Sequence, residues 1–132
     1  MILPKVICID DDPIALLLSK LVISKANFAS EIITLPNGQD ALSFLEQQQI
    51  ADHEQLIILL DLNMPVMDGW EFLEQFSDKI YQIHHNAKII LLSSSIDPND
   101  IQKSRQFNMV LDFFPKPLTK EMLYGVLEKL NA

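Results

Sequence analysis

Two kinds of apolar pattern alternate along this chain. Short unbroken runs (Val6-Ile7-Cys8-Ile9, Leu56 to Leu60, Ile89-Ile90-Leu91-Leu92, and a stretch ending in Phe113-Phe114) give way to segments in which apolar residues recur every three or four positions. Runs this short, rich in Ile, Leu and Val, predict strands buried on both faces of a parallel sheet. Strand and helix signals alternate five times, which predicts an α/β fold: a five-stranded parallel sheet with helices on both faces.

The first strand is expected over residues 4–10. A helix follows, with Asp12 as N-cap and Pro13 at its first position. Ile14, Leu17, Leu18, Leu21 and Val22 fall at i, i+3, i+4, i+7 and i+8, the spacing of a core-facing stripe. The second strand is expected at Glu31–Leu35. Pro36-Asn37-Gly38 then breaks the chain and starts a helix that buries Ala41, Leu42 and Leu45. Residues 50–55 form a polar link to the third strand, 56–60. The third helix starts near Gly69 and carries Phe72, Leu73, Phe76, Ile80 and Ile83; Trp70 and Phe72 read as packing residues. The fourth strand is expected at 88–92. Its helix has Asp97 as cap, Pro98 at the first position, a thin apolar face of Ile101 and Phe107, and Asn108 as a left-handed terminator. A helix that buries so little is held loosely and moves at modest cost. The fifth strand is expected at 111–114. The last helix begins at Thr119 and repeats Leu123, Val126, Leu127 and Leu130.

Composition narrows the picture. The chain of 132 residues is 48% apolar, which suits one globular domain with a substantial core. Its net charge of −8 argues against a general affinity for nucleic acid or an anionic membrane. No apolar stretch reaches transmembrane length, and the opening lacks the pattern of a signal peptide. The lone Cys8 reads as a small core hydrophobe in a reducing, cytoplasmic setting. His53, His84 and His85 have no ligand spacing with Cys8 and read as surface residues.

Chemistry enters where the strands stop. The first run ends in Asp10-Asp11-Asp12, the third at Asp61, the fourth at Ser93, and the fifth leads through Pro115 into Lys116-Pro117. In an open parallel sheet the carboxyl ends of the strands share one edge, where ligands bind. Taken singly, an Asp or Ser after a strand is usually a turn residue or cap, as Asp12 is read here. Together, these residues should converge. Clustered carboxylates repel unless a cation neutralises them, and Mg²⁺ suits such a site. Asp61 is then a candidate nucleophile, able to form an aspartyl phosphate. Lys116 supplies a charge, and Ser93 a hydroxyl, for phosphoryl oxygens.

With these residues in place, the chain resembles the receiver domain of two-component response regulators. Asp10-Asp11 is similar to the family's acidic pair. Leu60-Asp61-Leu62-Asn63-Met64-Pro65-Val66-Met67-Asp68-Gly69 is similar to its phosphoacceptor motif. Ser93 stands where the family has Thr or Ser, and Lys116-Pro117 matches its Lys-Pro. The resemblance covers essentially the whole chain. It implies a doubly wound, flavodoxin-like sheet in the order 2-1-3-4-5, and a single receiver domain over 1–132 with no effector domain. It also implies a phosphoacceptor, Asp61, that takes its phosphoryl group from the phosphohistidine of a histidine kinase or phosphotransfer protein. Asp11, Asp61 and the Asn63 carbonyl would hold Mg²⁺, with Asp10 acting through a metal-bound water. Lys116 and Ser93 would bind phosphoryl oxygens, Phe113 would sit at the switch-aromatic position, and Pro65 and Gly69 would shape the loop after Asp61. The family's frequent Tyr is Phe113 here, so this switch has no phenol hydroxyl. Output would pass through the fourth helix, fifth strand and fifth helix to a protein target.

Other readings fit less well. A phosphatase of the haloacid-dehalogenase type needs an acid two residues after the nucleophile, where this chain has Asn63. A degenerate receiver would have lost an acid or the lysine. A flavin site would need a phosphate-cradling loop after the first strand.

Overall fold

The apolar runs pair into one sheet whose strands are all parallel: β1 (Lys5–Ile9), β2 (Glu31–Leu35), β3 (Leu56–Asp61), β4 (Ala87–Ser93) and β5 (Val110–Pro115), in the order β2-β1-β3-β4-β5. Among the described residues, five α-helices connect or follow them: α1 (Pro13–Lys25), α2 (Gly38–Gln47), α3 (Gly69–Gln75), α4 (Pro98–Ser104) and α5 (Lys120–Leu130). The computed structural model describes residues 3–48 and 54–131. Residues 50–53 of the expected polar link, His53 among them, lie outside the described residues.

Because side chains alternate along a strand, each strand feeds two cores. Ile7 and Ile9 of β1 join Ile58, Leu60, Ile89 and Leu91 under α2 and α3, with Leu45, Phe72 and Phe76. Val6 and Cys8 point the other way, joining Ile57, Leu59, Ile90 and Leu92 under α1 and α5, with Ile23, Phe28, Leu123 and Val126. All six residues of β3 are buried, as a central strand covered on both faces requires. The strand order reverses between β1 and β3, so Asp10 and Asp61 end neighbouring strands at the switch point.

Asp12 and Asp97 cap their helices as expected, each accepting a bond from a first-turn N–H, and Asn37, Asp68 and Thr119 do the same for α2, α3 and α5. A bulge shifts the β4–β5 register between Ile89 and Ile90, so that Phe113 sits opposite Leu91 and faces the α2–α3 core.

Several expectations fail, each for a physical reason. Of the stripe expected to face the core from α1, only Val22 packs against it; Ile14, Leu17, Leu18 and Leu21 face outward, 66, 58, 52 and 47% exposed. The face turned inward is Ala15, Leu16, Ser19, Val22, Ile23 and Ala26. These residues also recur with helical period. The helix carries two apolar stripes, and periodicity alone cannot rank them. The third helix does not continue regularly: after Gln75 it widens into a π-helical turn, Phe76–Ile80, and Ile83 lies beyond it, 54% exposed. Here the wider turn changes the angular phase. His84 is buried rather than superficial, its Nε2 lying 2.7 Å from the Leu45 carbonyl oxygen, which satisfies the ring in the core. Of the two histidines among the described residues, His85 is exposed as expected. α4 ends at Ser104 with Arg105 in right-handed conformation as its cap, and Asn108 has no positive φ. Its last N–H groups close tight turns instead, Gln106 to the Lys103 carbonyl and Phe107 to that of Ser104.

The reassigned face of α1 makes a direct prediction. Ile23→Ala should cost about 2–5 kcal/mol, the usual loss for a buried aliphatic. Leu17→Ala should fall within about 0.5 kcal/mol of wild type. Urea unfolding of the two variants checks this, and similar losses would restore the outer stripe to the core.

Candidate functional site: an acidic cluster bridged by a lysine

Three strand ends build the site. Asp10 follows β1 and Asp61 closes β3, and both side chains are buried; Asp11 is exposed. One carboxylate oxygen from each of the three lies within 4.8 Å of the others. Lys116, just past β5, reaches across β4 to this cluster. Its Nζ lies 2.8 Å from Asp10 Oδ2 and 3.2 Å from Asp61 Oδ1. The reach depends on the strand-five end, where the Lys116 N–H donates to the Ser93 carbonyl at 2.9 Å and continues the ladder past Pro115.

Backbone donors steady the acids. Asp10 Oδ1 accepts from the Asp12 N–H at 3.0 Å, and Asp61 Oδ1 accepts from the Asn63 N–H at 3.1 Å. Both bonding partners of Asp61 use Oδ1, so Oδ2 is the oxygen left to meet an incoming group.

The electrostatics follow from burial. Burial pushes the Asp61 carboxyl above the ordinary 3.8, and the Asp10 charge adds to the rise; the Asn63 N–H and Lys116 oppose it without cancelling it. Burial works against the Lys116 ammonium, but the bonds and charges of Asp10 and Asp61 outweigh it and raise its pKa. Lys116 therefore stays charged. Three carboxylates against one ammonium leave the cluster negative. A buried cluster of hard oxygen donors with one exposed member fits a hard divalent cation that keeps part of its water. Cys8, nearby on β1, takes no part: burial, then the Asp10 charge, push its thiol up to about 12.

Ser93 is buried at the end of β4, but its hydroxyl is engaged. It donates to the Ser95 carbonyl at 2.9 Å and accepts from the Ser95 N–H at 3.1 Å. The Asn63 side-chain amide also donates to it, at 3.2 Å. Sequence reasoning named Asn63 for its carbonyl and missed this side-chain bond, for which the sequence carries no signal.

The loop after Asp61 is shaped by close contact. A Cβ on Gly69 would stand 2.6 Å from Leu62 Cδ2 and 2.7 Å from Leu62 Cα, so glycine is required by proximity, and its φ is not positive. The positive φ falls on Val66 instead, at 68°, in a tight turn closed by a 2.8 Å bond from the Met67 N–H to the Pro65 carbonyl. A β-branched residue rarely adopts this conformation. The Val66 side chain is fully exposed.

The arrangement is that of a flavodoxin-like α/β domain with an acidic, lysine-bridged site at its topological switch point. The chain belongs to the response regulator receiver domain family, whose model it matches over residues 6–128. Receiver domains are signalling domains of two-component systems rather than conventional enzymes. A two component response regulator from Cytophaga hutchinsonii superposes with a TM-score of 0.90 at 32% identity, covering 100% of both chains. A receiver protein from Dyadobacter fermentans superposes at 0.84 with 26% identity, covering 95% of each. Among curated relatives, the sensor protein GacS of Pseudomonas syringae pv. syringae is 26% identical over 96% of this chain and 13% of its own length. The probable C4-dicarboxylate response regulator DctR of Bacillus subtilis is 26% identical over 95% of this chain and 51% of its own. The chain thus spans about half or less of these two relatives. No helix among the described residues is long and apolar enough to cross a membrane.

The raised pKa of Asp61 has a stability consequence. Its folded-state value lies above the ordinary 3.8, so a proton binds the folded chain more tightly than the unfolded one. Stability withheld at neutral pH is regained as pH falls through the raised value. Without divalent cation, Asp61→Asn should be more stable than the native chain at pH 7, and the difference should shrink on acidification. Denaturant melts of both proteins from pH 7 downward measure it; a gap that widens on acidification contradicts the raised value.

Proposed function

We propose that Asp61 is the phosphoacceptor of this receiver and takes its phosphoryl group from a phosphohistidine. The observation that carries this reading is the meeting of Asp10, Asp11, Asp61 and Lys116, drawn from three strand ends, around one carboxylate. An Asp61 carboxylate oxygen attacks phosphorus; the bond from phosphorus to the donor imidazole nitrogen breaks, and the imidazole leaves and takes up a proton. Lys116 balances charge on the phosphoryl oxygens, and Ser93 turns its hydroxyl to donate to one of them. Asp10, Asp11 and Asp61, with the Asn63 carbonyl, would hold Mg²⁺. When bound, the ion neutralises the carboxylates and the phosphoryl oxygens, which is most of what phosphoryl transfer asks of a protein.

The whole of 1–132 then works as one receiver. Its output face is α4, β5 and α5, where Phe113 lies half-buried beside the loosely held α4.

The donor's docking face follows from the misjudged side of α1. A groove of about 570 Å³ runs between α1 and the loop after β5, and Asp10 and Lys116 line it together with Ile14, Leu18 and Pro117. The exposed aliphatic stripe of α1 continues from this groove. A histidine kinase or phosphotransfer protein that reaches Asp61 past Asp10 and Lys116 would meet this edge, and an apolar helical surface on the donor would cover the stripe.

With acetyl phosphate and a divalent cation, intact-mass spectrometry should show one added phosphoryl group on the native chain and none on Asp61→Asn. Undiminished labelling of the variant sinks the assignment. A Leu17→Ser, Leu18→Ser double variant should label normally with acetyl phosphate but accept at least tenfold more slowly from its phosphohistidine donor, a loss of roughly 1.4 kcal/mol. Equal rates from that donor would remove α1 from the docking face.

A further inference from the structure

Trp70 is the chain's single tryptophan, and it lies in the first turn of α3. Its ring stacks on Phe107, with centroids 6.4 Å apart and planes 28° apart. Lys103 Nζ lies over the same ring, 4.7 Å from its centroid. Lys103 is in the last turn of α4, and Phe107 lies three residues past its end. One indole therefore grips the far end of α4 by two different contacts, each favouring the docked arrangement by a few-fold.

The two sides of this grip differ in firmness. α3 begins on fixed ground: Asp68 accepts from the Glu71 N–H at 2.9 Å, and the Gly69 N–H donates to the Leu62 carbonyl at 3.0 Å, one residue from Asp61. α4 has little of its own. Ser104 is its only buried residue, and the Ser104 hydroxyl bonds back to the Ile101 carbonyl within the same helix.

The near end of α4 is tied to the site. Ser95, whose carbonyl accepts from the Ser93 hydroxyl, lies two residues before the α4 cap Asp97. For Ser93 to donate to a phosphoryl oxygen on Asp61, it must let go of the Ser95 carbonyl. That removes one of the two bonds by which Ser93 holds the turn into α4, leaving the one from the Ser95 N–H, while Trp70 still holds the other end.

We infer that Trp70 is a clamp that holds α4 against the displacement Ser93 sets off, and so sets how readily the domain switches. This rests on Asp61 being the phosphoacceptor. Trp70 touches no reacting atom; it is a positioning residue that acts through α4. A contact made only in the docked arrangement weakens any ligand that requires the displaced one.

The test uses the full chain with Mg²⁺ and beryllofluoride, a stand-in for the phosphoryl group. In the native chain, Trp70 emission should change on binding, and amide exchange over residues 94–107 should rise. By titration calorimetry, Trp70→Ala should bind beryllofluoride about fivefold tighter. Trp70→Phe, which keeps an aromatic face for Phe107, should stay near the native affinity. Lys103→Ala, at an exposed position, should tighten binding about twofold, and it decides the matter if Trp70→Ala does not fold. A merely structural Trp70 would lower the melting temperature and leave the affinity unmoved. Native or weaker affinity in the alanine variants overturns the clamp. Acetyl phosphate labelling separates the two readings: if the native chain labels and the affinities do not shift, only the clamp falls; if it does not label, both fall.

Discussion

Two buried carboxylates held by one ammonium set the terms for everything around them. Asp10 and Asp61 sit side by side at the switch point, and Lys116 spans both. At the effective dielectric of a protein, like charges about 4 Å apart repel by roughly 4 kcal/mol. Buried ion pairs seldom repay their desolvation, so this cluster is a burden on folding. The rest of the fold has to carry it. It does so through β3, buried along its full length, and through two cores that load the sheet from both sides.

That burden explains the precision of the surrounding backbone. Lys116 can bridge two acids only if the end of β5 is held against β4, which the bond to the Ser93 carbonyl provides. Asp61 keeps its orientation because the chain folds back at once, bonding Asn63 N–H to its carboxylate and closing Gly69 onto Leu62. Val66 carries the strain of that return, of the order of 1–3 kcal/mol for such a conformation. Strain is tolerable in a loop whose two ends are anchored to a rigid strand and a capped helix.

The strands, the Asp-Pro and Asn-Gly helix starts and the polar residues at the strand ends were legible because each rests on local chemistry; the strand order came only with the family resemblance, because no local signal says which strands pair. What was not legible depended on relative phase. α1 has two stripes of equal period, and only its neighbours decide that Ile23 goes in and Leu17 stays out. His84 is a core residue whose ring meets the Leu45 carbonyl, 39 residues away in sequence, which no apolar pattern announces. Gly69 shapes the loop through space, since a Cβ there would meet Leu62, a neighbour that no local pattern announces. The side-chain bond from Asn63 to Ser93 joins residues thirty apart in sequence, and no local signal marks it.

Signalling needs unequal stiffness. A domain equally firm throughout would hold its acids in place but pass nothing on; one equally loose could not hold them. Here the firm part is the sheet with α3, whose first residue is bonded to the strand-end carbonyl next to Asp61. The loose part is α4, seven residues long and nearly without buried side chains. Such low-stability segments are where conformational change concentrates. Ser93 touches the loose part at its near end, and Trp70 joins it to the firm part at its far end. The acidic cluster and the loose helix are linked through few groups: Asn63 bonds the Asp61 carboxylate through its N–H and the Ser93 hydroxyl through its side-chain amide, and that hydroxyl already belongs to the turn into α4.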